Sequence, residues 1–165
     1  MLENLRQSTG QSDVQVVDAD RVIDGEQLIV AADHASKAIE RGFNIAKSLA
    51  MESLLYAGAE NQIEVAIRKV GVGPATRNVG VIIFSEDDQS LVRARNALAN
   101  SDIGLAHEMT ADEWTKARKT TIVSTYELTA KMIRAVRRTH ETEREAIKKL
   151  VFEKMALLSL EAQKS

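Results

Sequence analysis

An unbroken apolar run, Val79–Phe84 (VGVIIF), constrains the fold of this chain more than any other feature. β-Branched residues dominate the run and no polar side chain alternates with them, which is typical of a strand that is covered on both faces. A shorter β-branched run at residues 14–17 (VQVV) predicts a second strand. Because a strand covered on both faces needs other elements packed against it, the remaining sequence has to supply those layers.

Helical patterns fill most of that remaining sequence, with apolar residues at three- and four-residue steps. Between the two strands, we predict one helix that follows Asp24 and ends at Gly42. A second helix is predicted at residues 44–57, and a third is closed by Gly71.

The part of the chain after the second strand is also mainly helical. Residues 91–98 follow a helix pattern, and a shorter apolar stretch at residues 103–109 is predicted to return to the sheet. A capping-box pattern at residues 110–113 (TADE) opens further helix, with an interruption near residues 120–125 and a final helix at about 140–161. We therefore predict an α+β fold, with a small mixed or antiparallel β-sheet covered by several α-helices and a long C-terminal helix.

The composition is that of a folded soluble domain, since 44% of the 165 residues are hydrophobic and 28% are charged. We expect one domain over residues 1–165, with residues 1–13 as a flexible lead. The chain has no cysteine, which excludes disulfides, thiolate nucleophiles and cysteine metal sites. The sequence shows no signal-peptide pattern and no apolar run of about 20 residues, so we predict a cytoplasmic protein with no membrane partner.

A break interrupts the helical stretch MESLLYAGAENQIEVAIRKVG at residues 51–71. Gly58 is suited to leaving a helix, because a residue without a Cβ enters the left-handed region at little cost. Asn61 is then expected to cap the next helix. The corner presents Glu60 and Gln62 beside free backbone donors, so it is either a simple connector or a site for a phosphate or another anion.

No set of catalytic or metal-binding residues emerges, so we predict neither an enzyme nor a bound cofactor or metal. The glycines of GVGP (residues 71–74) precede a strand instead of joining a strand to a helix, which excludes a dinucleotide-binding loop. The acidic residues 86–88 (EDD) either bind Mg²⁺ or complement the start of a helix, and capping is favoured. The histidines lack ligand spacing and are expected at the surface: His34, His107 and His140.

Basic side chains form two groups. The net charge is −2, so any nucleic-acid binding requires a local basic face. Basic residues in the C-terminal third alternate with glutamates, which predicts a solvated helix face. The group with fewer intervening acids, and hence the better one for a phosphate backbone, is Arg41, Lys47, Arg68 and Lys69.

The final helix is apolar around most of its circumference. Such a helix is either enclosed in the core or covered by a partner, and the sequence leaves both possibilities open. Its apolar residues are Leu150, Val151, Phe152, Met155, Leu157, Leu158 and Leu160.

Four stretches carry a family resemblance, in this order along the chain: VQVVDADRVIDGEQL, NIAKSLAMESLLYAGAENQIEVAIRKVGV, VGVIIFSEDD and FEKMALLSL. Together they resemble the TPRKB family, in an archaeal type, over most of residues 14–161. That family is the kinase-binding subunit of KEOPS, the complex that places threonylcarbamoyl on the adenosine beside the anticodon of ANN-decoding tRNAs. The resemblance implies a non-catalytic subunit that binds the N-terminal lobe of the atypical kinase/ATPase subunit and recruits tRNA by its 3′ CCA end. It also implies that the protein contacts the other KEOPS subunits only indirectly.

The resemblance, combined with the basic residues near the corner and the apolar final helix, gives the expected interaction sites. The residues expected to contact tRNA are Lys47, Tyr56, Asn61, Gln62, Arg68 and Lys69. Those expected to contact the kinase are Val151, Met155 and Leu158. Family members commonly have small-Ser-Gly-x-Arg-Gln-Ile at the corner, so Gln62 and Ile63 match while Asn61 stands at the arginine position. Gln27 likewise stands where the family often has a histidine.

Two other functions are compatible with the residues. The altered corner and the acidic net charge are also expected of a kinase-binding regulator without useful RNA affinity. A small metal-dependent enzyme that uses Glu86, Asp87 and Asp88 is the third hypothesis.

Overall fold

The structure is a computed structural model that describes residues 13–99 and 114–163. The strand predicted at residues 103–109, the capping box at residues 110–113 and His107 lie outside the described residues. The same holds for the N-terminal lead up to residue 12.

The two predicted strands form the described sheet. β1 (Asp13–Asp18) and β2 (Val79–Phe84) run antiparallel, with Asp13 opposite Phe84 and Asp18 opposite Val79. Both faces of the sheet carry apolar side chains: Ile82 belongs to the main core, whereas Val81 packs in a smaller cluster around the β1 valines. A strand with apolar contacts on both faces has a continuous apolar sequence, which agrees with the prediction for β2.

Helices make up most of the rest. A short 3-10 turn (Ala19–Arg21) connects β1 to the first of them. In chain order the described helices are α1 (Gly25–Arg41), α2 (Leu49–Gly58), α3 (Ile63–Val70), α4 (Asp88–Ala99), α5 (Lys116–Thr125), α6 (Ala130–Val136) and α7 (Glu143–Ala162). This arrangement confirms the predicted α+β class and the long C-terminal helix.

Small residues bring the main elements close together. Ala31, Ala35 and Ala38 of α1 are fully buried and line the side of that helix that faces the core, where α2 packs. In β2, a Cβ at Gly80 would lie 2.7 Å from Leu28 Cδ1, so any larger residue would displace the Leu28 side chain of α1. The same core cluster includes the inner face of α7, for example Met155.

Two helices begin later than predicted because of a local cap, and one predicted interruption lies further along the chain. The helix predicted from residue 44 begins at Leu49, where the Ser48 hydroxyl accepts the Met51 N–H at 3.2 Å. α5 runs through residues 120–125, and the predicted interruption comes directly after it. α7 begins at Glu143 because Thr142 and Glu145 form a reciprocal capping box.

None of the helices within residues 13–99 and 114–163 combines the length and the apolar character that a bilayer-crossing helix needs.

Candidate functional site at the helix corner

The corner between α2 and α3 is tight, but glycine acts there differently from the prediction. Gly58 is the last residue of α2, and the left-handed residue that follows is Ala59, with φ of 50°. Gly58 instead lies against α3: a Cβ there would meet Val70 Cγ2 at 3.4 Å and Ala66 Cα at 3.5 Å, which are ordinary contact distances. The end of α2 therefore packs directly on α3.

Two polar side chains of the corner, those of Asn61 and Gln62, remain available for binding. The predicted cap at Asn61 is wrong, because the residue at the cap position of α3 is Gln62, and its side chain makes no capping hydrogen bond. Both residues are exposed. Each therefore presents an amide with donors and an acceptor to solvent or to a ligand.

Asn61 and Gln62 line a surface pocket of about 500 Å³. Two other segments complete it, the loop after α1 and the C-terminal end of α7. Their lining residues are Gly42, Phe43, Asn44, Ile45, Leu158, Glu161 and Ala162. The pocket thus combines apolar side chains with amide groups at its rim, a mixture suited to an organic ligand that has flat apolar faces and polar edges.

The loop at residues 43–48 contributes one wall of this pocket through residues 43–45, although residues 44–48 were predicted as helix. The carboxylate of Glu52 accepts the Ala46 N–H at 2.6 Å and the Ile45 N–H at 3.0 Å. Lys47, one of the residues predicted to contact tRNA, is exposed on the same loop. Sequence patterns could not reveal this wall, because a residue inside the next helix holds it in place.

A second depression lies on the other side of the corner, with a volume of about 560 Å³. Arg68 and Lys69 line it, together with hydroxyl-bearing residues of α5. Lys69 Nζ lies 2.6 Å from a carboxylate oxygen of Glu60 and 5.3 Å from the centre of the Tyr126 ring, so its charge is already balanced within the protein. Arg68 is exposed. Of the two predicted cations, Arg68 is therefore the better placed for a phosphate.

Tyr56 does not fit the prediction that it contacts tRNA, because it is only 1% exposed. Its ring stacks on His34 with the centroids 5.1 Å apart, and its hydroxyl accepts from the Ser159 hydroxyl at 3.3 Å. Burial raises the pKa of Tyr56, which keeps the hydroxyl protonated. Tyr56 therefore joins α1, α2 and α7 from within the core.

A comparison with protein families decides the identity of the chain. The family model described as kinase binding protein CGI-121 matches residues 1–159. The chain belongs to the CGI-121 kinase-binding family. This confirms the resemblance to the TPRKB family, and CGI-121 proteins are non-catalytic kinase-binding subunits. No curated protein matches the chain.

The face of this CGI-121 protein that was predicted to meet the kinase lies in the core. Val151, Met155 and Leu158 are at most 5% exposed and pack against the other helices. The apolar residues that α7 does present to solvent are Leu157, at 49% exposure, and Leu160, at 53%. One side of α7 is therefore enclosed in the core, while the other side is open, and its covering by a partner stays a prediction.

The acidic run after β2 acts as a helix cap in this CGI-121 chain. Asp87 accepts the Ser90 N–H at 2.8 Å and the Ser90 hydroxyl at 2.7 Å. The hydroxyl hydrogen bond, followed by the backbone one, lowers the pKa of Asp87. Within residues 13–99 and 114–163, no group of three or more histidine or acidic side chains is placed to hold a metal ion.

Proposed function

We propose that this CGI-121 protein is a non-catalytic subunit of the KEOPS complex that binds the atypical kinase subunit and holds tRNA by its 3′ CCA end. Its contacts with other KEOPS subunits are indirect, through the kinase. We also propose that the protein is cytoplasmic, as the sequence predicts. One observation carries the RNA part: the corner pocket combines exposed amides with apolar walls.

The size and chemistry of that pocket suit a single unpaired nucleoside. Proteins recognise single-stranded RNA ends by packing apolar or aromatic groups on the base faces and by hydrogen-bonding the base edges. Phe43, Ile45 and Leu158 supply apolar surface, and the amides of Asn61 and Gln62 can both donate and accept. The CCA end of tRNA is unpaired, so its terminal base is free to enter such a pocket.

Exposed cations that could contact the phosphates are few around the corner. Lys47 is exposed on the loop that contributes to the pocket wall, and Arg68 is exposed in the second depression. Asn61 replaces the arginine that the family commonly has, which removes a bidentate phosphate contact. We therefore expect moderate affinity that depends on recognition of the RNA end more than on charge.

The kinase-docking face is proposed on the open side of α7. Leu157 and Leu160 are half exposed and one turn apart on the same helix, with the exposed Ala156 next to them. Exposed apolar groups that lie together are typical of a protein interface. Because the family binds a kinase, we assign this face to the kinase instead of the buried residues that the sequence suggested.

The alternative function is a kinase-binding regulator without significant RNA binding. The balanced charge of Lys69 and the neutral Asn61 favour it. The two functions differ in one measurable property, which is whether the protein distinguishes tRNA with its CCA end from tRNA without it.

Filter binding of the two RNAs tests the proposal. We expect intact tRNA to bind at least several-fold more tightly than tRNA lacking CCA, and Gln62→Ala to remove most of that difference. Gln89→Ala, at an exposed position on α4, is the matched control and should keep the difference. Equal retention of both RNAs by the unmodified protein would overturn recognition of the CCA end, and retention of neither would support the regulator alternative.

A further inference from the structure

Glu52 is a fully buried carboxylate in α2. One of its oxygens, Oε2, accepts the backbone N–H groups of Ile45 and Ala46. The other oxygen, Oε1, is buried and has no hydrogen-bond partner among the described residues. The structure describes no ion pair for Glu52 within residues 13–99 and 114–163.

A buried carboxylate with one unsatisfied oxygen is an unfavourable arrangement. Burial penalises the charged form, whereas the two backbone donors favour it, and burial is the larger influence, so the pKa of Glu52 is raised. A neutral side chain of similar size would avoid the penalty. The two hydrogen bonds that Glu52 accepts from the backbone are the favourable interactions that offset this penalty.

Those two backbone groups belong to the loop that forms one wall of the corner pocket. Ala46 is buried, while its neighbour Ile45 is 41% exposed and lines the pocket. Ser48 caps α2, so the preceding loop residues lie outside that helix and their backbone donors need partners elsewhere. By accepting the N–H groups of Ile45 and Ala46, Glu52 ties this loop to α2.

We propose that Glu52 is a positioning residue for RNA-end recognition: it fixes the loop at residues 43–48 so that Ile45 faces Asn61 and Gln62 across the pocket. The inference rests on the proposed function, because the ligand of the pocket is taken to be the 3′-terminal nucleoside. Glu52 itself acts only through the loop. Removing its carboxylate should therefore weaken recognition of the CCA end without affecting kinase binding.

The experiment compares Glu52→Ala and Glu52→Gln with Ser53→Ala in the full chain. Ser53 is the matched control, because it is also fully buried but its hydroxyl donates at 2.8 Å to Ala50 within α2. Amide hydrogen exchange should be at least tenfold faster at Ile45 and Ala46 in Glu52→Ala, and less so in Glu52→Gln, whose amide oxygen still accepts. The ratio of affinities for tRNA with and without CCA should fall by a similar factor.

The outcomes separate this inference from the proposed function. If the unmodified protein does not distinguish the two RNAs, the proposed function fails, while the exchange rates still decide whether Glu52 holds the loop. Unchanged exchange at both amides in Glu52→Ala overturns the inference, as does an equal change in Ser53→Ala. If Glu52→Ala does not fold, Glu52→Leu, which fills similar space but cannot accept a hydrogen bond, decides by the same two readouts, and unchanged values in that variant overturn the inference.

Discussion

The side chains of Gln27 and Tyr126 meet in the core 2.5 Å apart, and both donate to the carbonyl of Ala57 in the last turn of α2. A carbonyl near the end of a helix lacks a partner within that helix, so these two groups satisfy an acceptor that would otherwise be unpaired. The oxygen of Gln27 also accepts the Ile23 N–H at 2.8 Å. Gln27 stands at a position where the family often has a histidine. Through its hydrogen bond to Ala57, it stabilises the end of α2 that leads into the corner.

Replacing Tyr126 with phenylalanine should destabilise the protein while keeping the ring in place. The variant leaves the Gln27 amide with one partner fewer in a fully buried position, so we expect the free energy of unfolding to fall by about 1–2 kcal/mol. Chemical denaturation measures the change. Tyr56→Phe is the control and should have a smaller effect, because its hydroxyl makes a longer hydrogen bond of 3.3 Å. Equal effects of the two variants would contradict the importance of the Gln27 network.

The two neighbouring leucines of α7 should respond differently to truncation. Leu158 is 5% exposed, so Leu158→Ala is expected to lower the free energy of unfolding by about 2–4 kcal/mol. Leu157 is half exposed, so Leu157→Ala should change it by less than about 1 kcal/mol. Thermal or denaturant unfolding measures both. A large loss at Leu157 with none at Leu158 would mean that α7 packs with its opposite face inward.

Kinase binding should be lost when the open face of α7 becomes charged. Leu157→Lys places a cation between Glu153 and Glu161, one turn away on either side, so the helix itself is not weakened. We expect co-elution with the kinase on a sizing column to disappear. Val92→Lys on α4 is the matched control, since Val92 is 54% exposed and Asp88 lies one turn before it. Continued co-elution of Leu157→Lys would place the kinase elsewhere.

Stability should fall as the solution is acidified below pH 6.5, through His34. Burial, the largest influence, lowers the pKa of His34 below its ordinary value of 6.5, although the charge of Asp33 acts in the opposite direction. In that pH range the unfolded chain binds a proton that the folded chain resists, so the free energy of unfolding decreases with falling pH. Nδ1 of His34 also lies 2.8 Å from the Ser159 hydroxyl, within hydrogen-bonding distance.

Denaturation at a series of pH values checks this contribution. His34→Gln should flatten the decline between pH 7.5 and 5.5, whereas His140→Gln, at an exposed position, should keep it. The same slope in His34→Gln and in the unmodified protein would show that His34 does not contribute.

Restoring the family arginine should strengthen RNA binding. We expect Asn61→Arg to raise tRNA affinity by roughly tenfold at low salt, because an exposed guanidinium at the rim can form a charge-assisted contact with a phosphate. The slope of log affinity against log salt should steepen by about 0.7, the value for one additional contact with a single strand. Asn96→Arg on α4 controls for the added charge, and an equal gain there would show that the position at the corner is unimportant.

Sequence patterns correctly predicted the elements that depend on residues close together along the chain. The apolar run of β2 and the cap at Asp24 that begins α1 coincide with the structure, because nearest neighbours along the chain decide them. The family resemblance pointed to Asn61 and Gln62, and the structure places both in one pocket.

What sequence patterns missed depends on contacts made in three dimensions. The loop at residues 43–48 has a helical pattern, and only the Glu52 carboxylate shows that its amides are held elsewhere. On α7, an apolar pattern nearly all round cannot distinguish Leu158 in the core from Leu157 at the surface. The side of each helix that faces the core is set by the packing of α1, α2 and α7 together.

Photocrosslinking with tRNA tests the central claim most directly, namely that the corner pocket receives the 3′ end of tRNA. An 8-azidoadenosine at the 3′ terminus should form crosslinks with peptides that contain residues 42–48 or 59–63, and tRNA with the same group inside the acceptor stem should not. Crosslinks from the terminal adenosine that map to other parts of the protein, or equal crosslinking of the two RNAs, would contradict the claim.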